Sequence, residues 1–182
     1  MTSKAILLTT IGVTSDPPLP DAEPAAFRGA LRRLAGGVSV ITTGAAADRT
    51  GLTVTSVSSL SADPPSVVFG LNLAGSSYPV LERFRAFGVN ILAERHRAVA
   101  DRFAGRDGVK GPERYAGTEW ITLATGASLL ADAPAALDCE VEELILRHSH
   151  AIVLGRVKAV HLGPPADALL YWQGGYAGLP VA

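Results

Sequence analysis

A closed or nearly closed antiparallel sheet, mainly β with flanking helices, is the fold class that this sequence predicts. Short apolar or alternating runs recur at Val38–Thr43, Thr53–Ser59, Ser66–Asn72, Phe87–Leu92, Trp120–Leu123, Leu137–Leu146 and His150–Val160, separated by glycine, proline or polar residues. Helical periodicity occurs at only a few irregular positions, so the regular strand–helix alternation of a parallel sheet is missing. The chain has 182 residues, 48% of them hydrophobic, which suits one domain with a substantial core, or one domain with an arm.

The elements follow in order. Lys4 and the run Ala5–Val13 loosely resemble a short signal peptide, but two threonines dilute the run and Ser15–Pro18 offers no small-x-small cleavage site. No stretch reaches transmembrane length, so a cytoplasmic protein without a membrane partner is expected. Residues 14–24 are proline-rich, and the chain divides into an arm and linker over 1–24 and a domain over 25–182. Phe27, Ala30, Leu31 and Leu34 recur at helical spacing until Gly36-Gly37. Ser66–Asn72 is apolar enough for a central strand. A short helix begins at Ser76 or Ser77, and Arg95–Ala104 is amphipathic with Val99, Ala100 and Phe103 on one side. Glycines at 105, 108 and 111 then open a loop that carries Arg106, Lys110 and Arg114.

The most informative segment is Gly51–Pro65. It gathers hydroxyls at Thr53, Thr55, Ser56, Ser58, Ser59 and Ser61 and ends in Pro64-Pro65, which favours extended backbone before it. Small hydroxyls fill a core poorly, because each needs a hydrogen-bond partner when buried. They suit the lining of a flat polar heterocycle, although an exposed Ser/Thr-rich edge strand fits the same residues.

A net charge of −1 without a basic stripe argues against nucleic acid as a partner. The single cysteine, Cys139, excludes an intramolecular disulfide framework and a multi-cysteine zinc site. Apolar and acidic residues alternate over Leu137–Glu142, which points Cys139 inward and the acidic residues outward. His148 and His150, at spacing i, i+2, fall on one face of a strand, but no third ligand stands in that segment and no metal is expected. Neither a Gly-x-Gly-x-x-Gly after a strand nor a Walker motif is present.

In order and spacing, Leu34–Thr43, Thr53–Pro65, Asn72 with Ser76-Ser77, Val89–Leu92, Val99–Ala104, Ser149–Val157 and Leu170–Tyr176 together resemble the flavin reductase-like family of the FMN-binding split-barrel type. The resemblance covers roughly Phe27 to Tyr176. It implies an antiparallel Greek-key split β-barrel and NAD(P)H-dependent reduction of free FMN or FAD, with NADH favoured over NADPH. Reduced flavin would be supplied to a partner monooxygenase, and a homodimer is implied.

The resemblance also implies site residues. Thr53, Thr55, Ser56, Val57, Ser58 and Ser59 form the wall beside the isoalloxazine ring. Asn72, Ser76 and Ser77 meet the phosphate, where a helix start favours an anion, although either serine could simply cap that helix. Phe103 belongs to the flavin site. His150 positions the nicotinamide, with Gly175 and Tyr176 nearby. Arg106, Lys110 and Arg114 could meet additional phosphates, but exposed Lys and Arg by default form a solvated face, and that reading is preferred. The family usually carries Gly-x-His where this chain has His148-Ser149-His150, so a different backbone is expected at that point. The competing reading is a flavin-binding electron carrier or sensor of the same fold. An oxidase of the pyridoxamine phosphate type would need an arginine cluster that the sequence does not assemble.

Overall fold

The computed structural model describes residues 19–181, so residues 1–18 of the expected arm lie outside the described residues. Contacts divide the chain after Leu31. The first unit contains α1 (Pro24–Leu31), which has no buried residue. The helix ends at Leu31, short of Leu34, and a turn over residues 32–34 leads into the extended Gly36-Gly37.

The second unit is built on antiparallel pairing throughout. Its strands are β1 (Gly36–Gly37), β2 (Ser39–Thr43), β3 (Thr50–Val54), β4 (Ser58–Ala62), β5 (Pro65–Asn72), β6 (Ala86–Ile91), β7 (Trp120–Thr122), β8 (Ser128–Leu130), β9 (Ala135–Arg147), β10 (His150–Leu162), β11 (Ala168–Trp172) and β12 (Gly175–Leu179). Two helices, α2 (Ser77–Phe84) and α3 (Arg97–Phe103), flank them. The main sheet runs β3-β2-β6-β9-β10-β5-β4, β11 pairs with both β1 and β12, and β7 pairs with β8. Among the described residues no helix is long and apolar enough to cross a membrane.

This strand order explains the barrel and its split. β3 and β4 are the two outer strands of the main sheet, yet only Thr55-Ser56-Val57 joins them. Four residue steps from Val54 to Ser58 span at most about 14 Å. The sheet must therefore roll until its edges nearly meet, and the two edge strands do not pair. Thr53–Ser59 is accordingly not one strand, as the alternation suggests, but the crossing from one edge to the other.

Inside the roll, Ile41, Phe69, Leu71, Leu81, Phe87, Val89, Cys139 and Val153 form one apolar cluster. Phe87 meets Phe69 edge-on at 5.2 Å and lies where a Cβ on Gly155 would fall 2.2 Å from its Cζ, so only glycine fits there. A second cluster packs Phe103, Tyr115, Leu129, Leu130 and Leu169. The β7–β8 hairpin covers the other face of β2 and β6: Thr42 Oγ1 donates to the Ser128 carbonyl, and Leu130 N–H donates to Asn90 Oδ1 at 2.6 Å.

With both faces covered, β2 is buried at every position. The same cover corrects the reading of Leu137–Glu142, because Asp138 is as fully buried as Cys139. Asp138 accepts hydrogen bonds from the Thr125 backbone N–H, at 2.8 Å, and from the Thr125 hydroxyl. Simple in–out alternation fails where a hairpin lies over the outer face.

Candidate functional site

Two neighbouring cavities share Thr53 and Ala104 as common walls. The larger, about 390 Å³, lies between β3, the end of β5, the start of α2, and the segment Phe103–Arg114. Asn72 shapes it: its Oδ1 accepts from Ala74 N–H at 2.9 Å and its carbonyl accepts from Gly75 N–H at 3.1 Å. This Asx turn brings Gly75, Ser76 and Ser77 round to the cavity. The Gly51 carbonyl accepts from the Ser77 hydroxyl at 3.0 Å and from Arg114 Nη1, tying α2 and the 104–115 loop to β3.

Ser77 thus spends its hydroxyl on the fold, while Ser76 at the N-cap makes no side-chain capping bond and is exposed. The first N–H groups of a helix lack intrahelical partners and its dipole favours negative charge. With Arg114 beside them, this end of the cavity suits an anion.

The smaller cavity, about 210 Å³, is lined by Val38, Thr53, Val54, Thr55, Ala104, Arg106, Tyr171 and Tyr176. Gln173 and Gly174 both have positive φ, at 52° and 85°, and close β11–β12 with a two-residue turn. Such turns match strand twist, and they set Tyr171 directly opposite Tyr176. The two rings meet edge-on at 5.5 Å. Arg106 stacks 5.0 Å from the Tyr176 centroid, and its Nη1 donates to Asp101 Oδ1 at 2.6 Å. Burial raises the pKa of the Tyr176 hydroxyl and Asp101 adds to the rise, while the Arg106 charge opposes it. The phenol therefore stays neutral at physiological pH.

The expected site residues divide between these walls. Thr53, Asn72, Ser76, Ser77 and Phe103 line the larger cavity; Thr53, Thr55 and Tyr176 line the smaller. Thr53 turns its hydroxyl into α3, donating to the Ala100 carbonyl at 2.6 Å. What β3 offers a ligand is therefore the backbone of an edge strand. Ser56, Val57, Ser58 and Ser59 line neither cavity. Ser56 Oγ accepts from Gly70 N–H at 3.2 Å, Val57 packs on the barrel cluster, and Ser58 and Ser59 are exposed on β4, beyond the crossing.

His150 opens β10 directly opposite Asn72, with its Nδ1 2.9 Å from Ser149 Oγ. It lines neither cavity in the single chain, so His150 and Tyr176 stand at different walls. Gly175 starts β12, just before Tyr176.

His148 departs from the sequence reading in two ways. It lies in the β9–β10 turn, not on a strand face with His150. Its φ of 51° also keeps the left-handed backbone that favours glycine.

Sequence reasoning placed both arginines on a solvated face first and gave phosphate contact only as the alternative. Arg106 and Arg114 line the cavities, whereas Lys110 is exposed and lines neither. The available signal was Tyr115, next to Arg114. Its hydroxyl donates to the Thr50 carbonyl and its ring packs between Phe103 and Trp120, which folds the loop back over β3.

Residues 31–180 match the flavin reductase-like domain. The chain is 40% identical over 160 residues to an FMN reductase (NADH) RutF 1 of Methylorubrum extorquens, covering 88% of this chain and 79% of that protein. It is 34% identical over 156 residues to FMN reductase (NADH) RutF of Bradyrhizobium diazoefficiens, covering 86% of each. Among solved structures, BorF, the flavin reductase component of a bacterial two-component tryptophan halogenase, superimposes with a TM-score of 0.81 at 29% identity, covering 88% of this chain and 100% of that one. The styrene monooxygenase flavin reductase of Pseudomonas putida gives 0.75 at 29%, covering 86% and 98%. The chain belongs to the flavin reductase-like domain family.

Proposed function

We propose that this protein is an NADH-dependent flavin reductase that takes free FMN or FAD as a substrate. Hydride passes from nicotinamide C4 to flavin N5, and reduced flavin leaves for a monooxygenase component. The observation that carries this reading is the adjacency of the two cavities, which share Thr53 and Ala104 in their walls. One end favours an anion and the other offers a flat slot between tyrosines and an edge strand. Their volumes together fall within the range of roughly 300–1,000 Å³ common for small-molecule sites.

In this reading Ser76, Gly75 and Arg114 hold the flavin phosphate, and Asn72 shapes the turn that presents them. The backbone of Thr53 to Thr55 runs along the ring, where a donor to the ring's pyrimidine end offsets charge that develops on reduction. Tyr176 orients the nicotinamide from the smaller cavity, and His150, which lines neither cavity of its own chain, does so only across the homodimer proposed below. Hydride transfer needs no protein acid, because the reacting atoms belong to the two substrates and the protein supplies distance and orientation. With NADH and free flavin as substrates, the reaction belongs in the cytoplasm.

A homodimer belongs to the same proposal. Val68, Ile145, Ile152 and Leu154 sit on one outward face of β5, β9 and β10, with Ile152 39% exposed. A second copy covering this strip would bring its own surface beside His150 and Asn72. Light scattering on the purified protein should give twice the chain mass.

The deciding experiment follows NADH oxidation by absorbance, with and without added FMN or FAD. Turnover that requires and saturates with free flavin supports the reductase. A retained yellow chromophore without turnover would replace it with the carrier reading.

A further inference from the structure

Resting on the reductase reading, we propose that Arg106 binds the diphosphate of the nicotinamide dinucleotide. The larger cavity already holds a full set of anion partners in Gly75, Ser76, Arg114 and the start of α2. The single phosphate of FMN is therefore met without Arg106. Arg106 lines the other cavity, on the face of Tyr176 and 6.0 Å from the Tyr171 centroid. With the flavin ring along Thr53 to Thr55 and the nicotinamide on its tyrosine side, the guanidinium on Tyr176 stands within reach of the groups that follow the nicotinamide ring. For a dinucleotide those groups are ribose and diphosphate.

The side chain is well suited to the task. A guanidinium presents a planar fork that pairs phosphate oxygens two at a time. Stacking on Tyr176 and the Asp101 carboxylate hold it in place before any ligand arrives. The Arg106 and Asp101 side chains are 48% and 41% exposed, so solvent screens their pairing and a phosphate can compete for the same N–H groups. A second cation stands at the hairpin tip: a Cβ on Gly174 would lie 3.0 Å from Arg32 Nη2. The chain leaving the smaller cavity along this hairpin therefore meets positive charge twice.

The test compares NADH with N-benzyl-1,4-dihydronicotinamide, a hydride donor without phosphates, at saturating FMN. For Arg106→Gln, the ratio of kcat/KM for NADH to that for the benzyl donor should fall about tenfold, the scale of one charge-assisted contact at a partly exposed site. Arg106→Lys should keep most of that ratio. The rise of KM for NADH with salt should also flatten in R106Q, because a screened charge pair has been removed.

Equal losses with both donors would overturn the proposal and make Arg106 a support for Tyr176. A raised KM for FMN with an unchanged donor ratio would overturn it in favour of a flavin contact. Absence of NADH oxidation in the unmutated protein would overturn the reductase reading itself, and the inference with it.

Discussion

Gly51 joins the barrel to the larger cavity, and Gly51→Ala should damage both. An added Cβ would lie 2.3 Å from the Ile41 carbonyl oxygen and 2.7 Å from Phe103 Cε1. The carbonyl belongs to β2, buried at every position and paired on both sides, so it cannot retreat. Phe103 is held edge-on against Tyr115 at 5.1 Å and close to Trp120 at 5.7 Å. β3 must therefore move outward, or the aromatic cluster must repack.

Overpacking of this kind costs about 1–3 kcal/mol. Replacing glycine lowers the entropy of the unfolded chain, which offsets roughly 0.5–1 kcal/mol. The net loss is about 1–2 kcal/mol, a fall in Tm of roughly 2–8 °C for a chain of this size. Because the Gly51 carbonyl takes the Ser77 and Arg114 hydrogen bonds, the same shift should weaken FMN binding.

Urea unfolding followed by tryptophan fluorescence, together with an FMN titration, measures the two effects. Gly37→Ala is the control, since a Cβ there meets nothing within 4 Å, and it should keep only the unfolded-chain gain of roughly 0.5–1 kcal/mol. If G51A unfolds and binds FMN as G37A does, the steric argument is wrong.

Three further outcomes are expected. His148→Gly should raise stability by about 0.5–1 kcal/mol in thermal unfolding, because glycine adopts the φ of 51° without a Cβ clash. Burial, with the negative charge of Asp138 adding to it, pushes the Cys139 thiol up to about 12. Native protein should therefore resist thiol reagents near about pH 8 and react only once unfolded, and rapid labelling of the folded chain would contradict this. Burial alone would raise the Asp132 carboxyl, but the His96 hydrogen bond and charge, helped by Arg95, hold it below its usual value. That stability is present above the ordinary carboxylate range and lost as pH falls through the lowered value. Asp132→Asn should therefore cost less than about 1 kcal/mol near neutrality, since Asp132 is 60% exposed, and the gap should close in acid urea titrations.

Much of the fold is legible from local pattern. Glycine and proline positions and runs of alternating or apolar residues locate β2, β5, β6, β9 and β10, because a strand's burial period and its turns are consequences of neighbouring residues. The order of motifs from Leu34 to Tyr176 carries the family, and with it Thr53, Ser76 and Tyr176 as cavity-lining residues. His148 occupies a glycine-favouring backbone that only a dihedral angle reveals.

What the tertiary structure decided depends on pairings between residues far apart in the chain. β3 and β4 look like one hydroxyl-rich strand until the sheet order puts them on opposite edges, which moves Ser56 to Ser59 away from the cavities. Asp138 looks outward-facing until β7 and β8 close over it. Arg114 looks solvated until Tyr115 returns its loop to Gly51, 63 residues back. Local periodicity records which side of a strand is greasy. It holds no record of what a distant segment later lays against the other side, and the two cavities are made of those distant contacts.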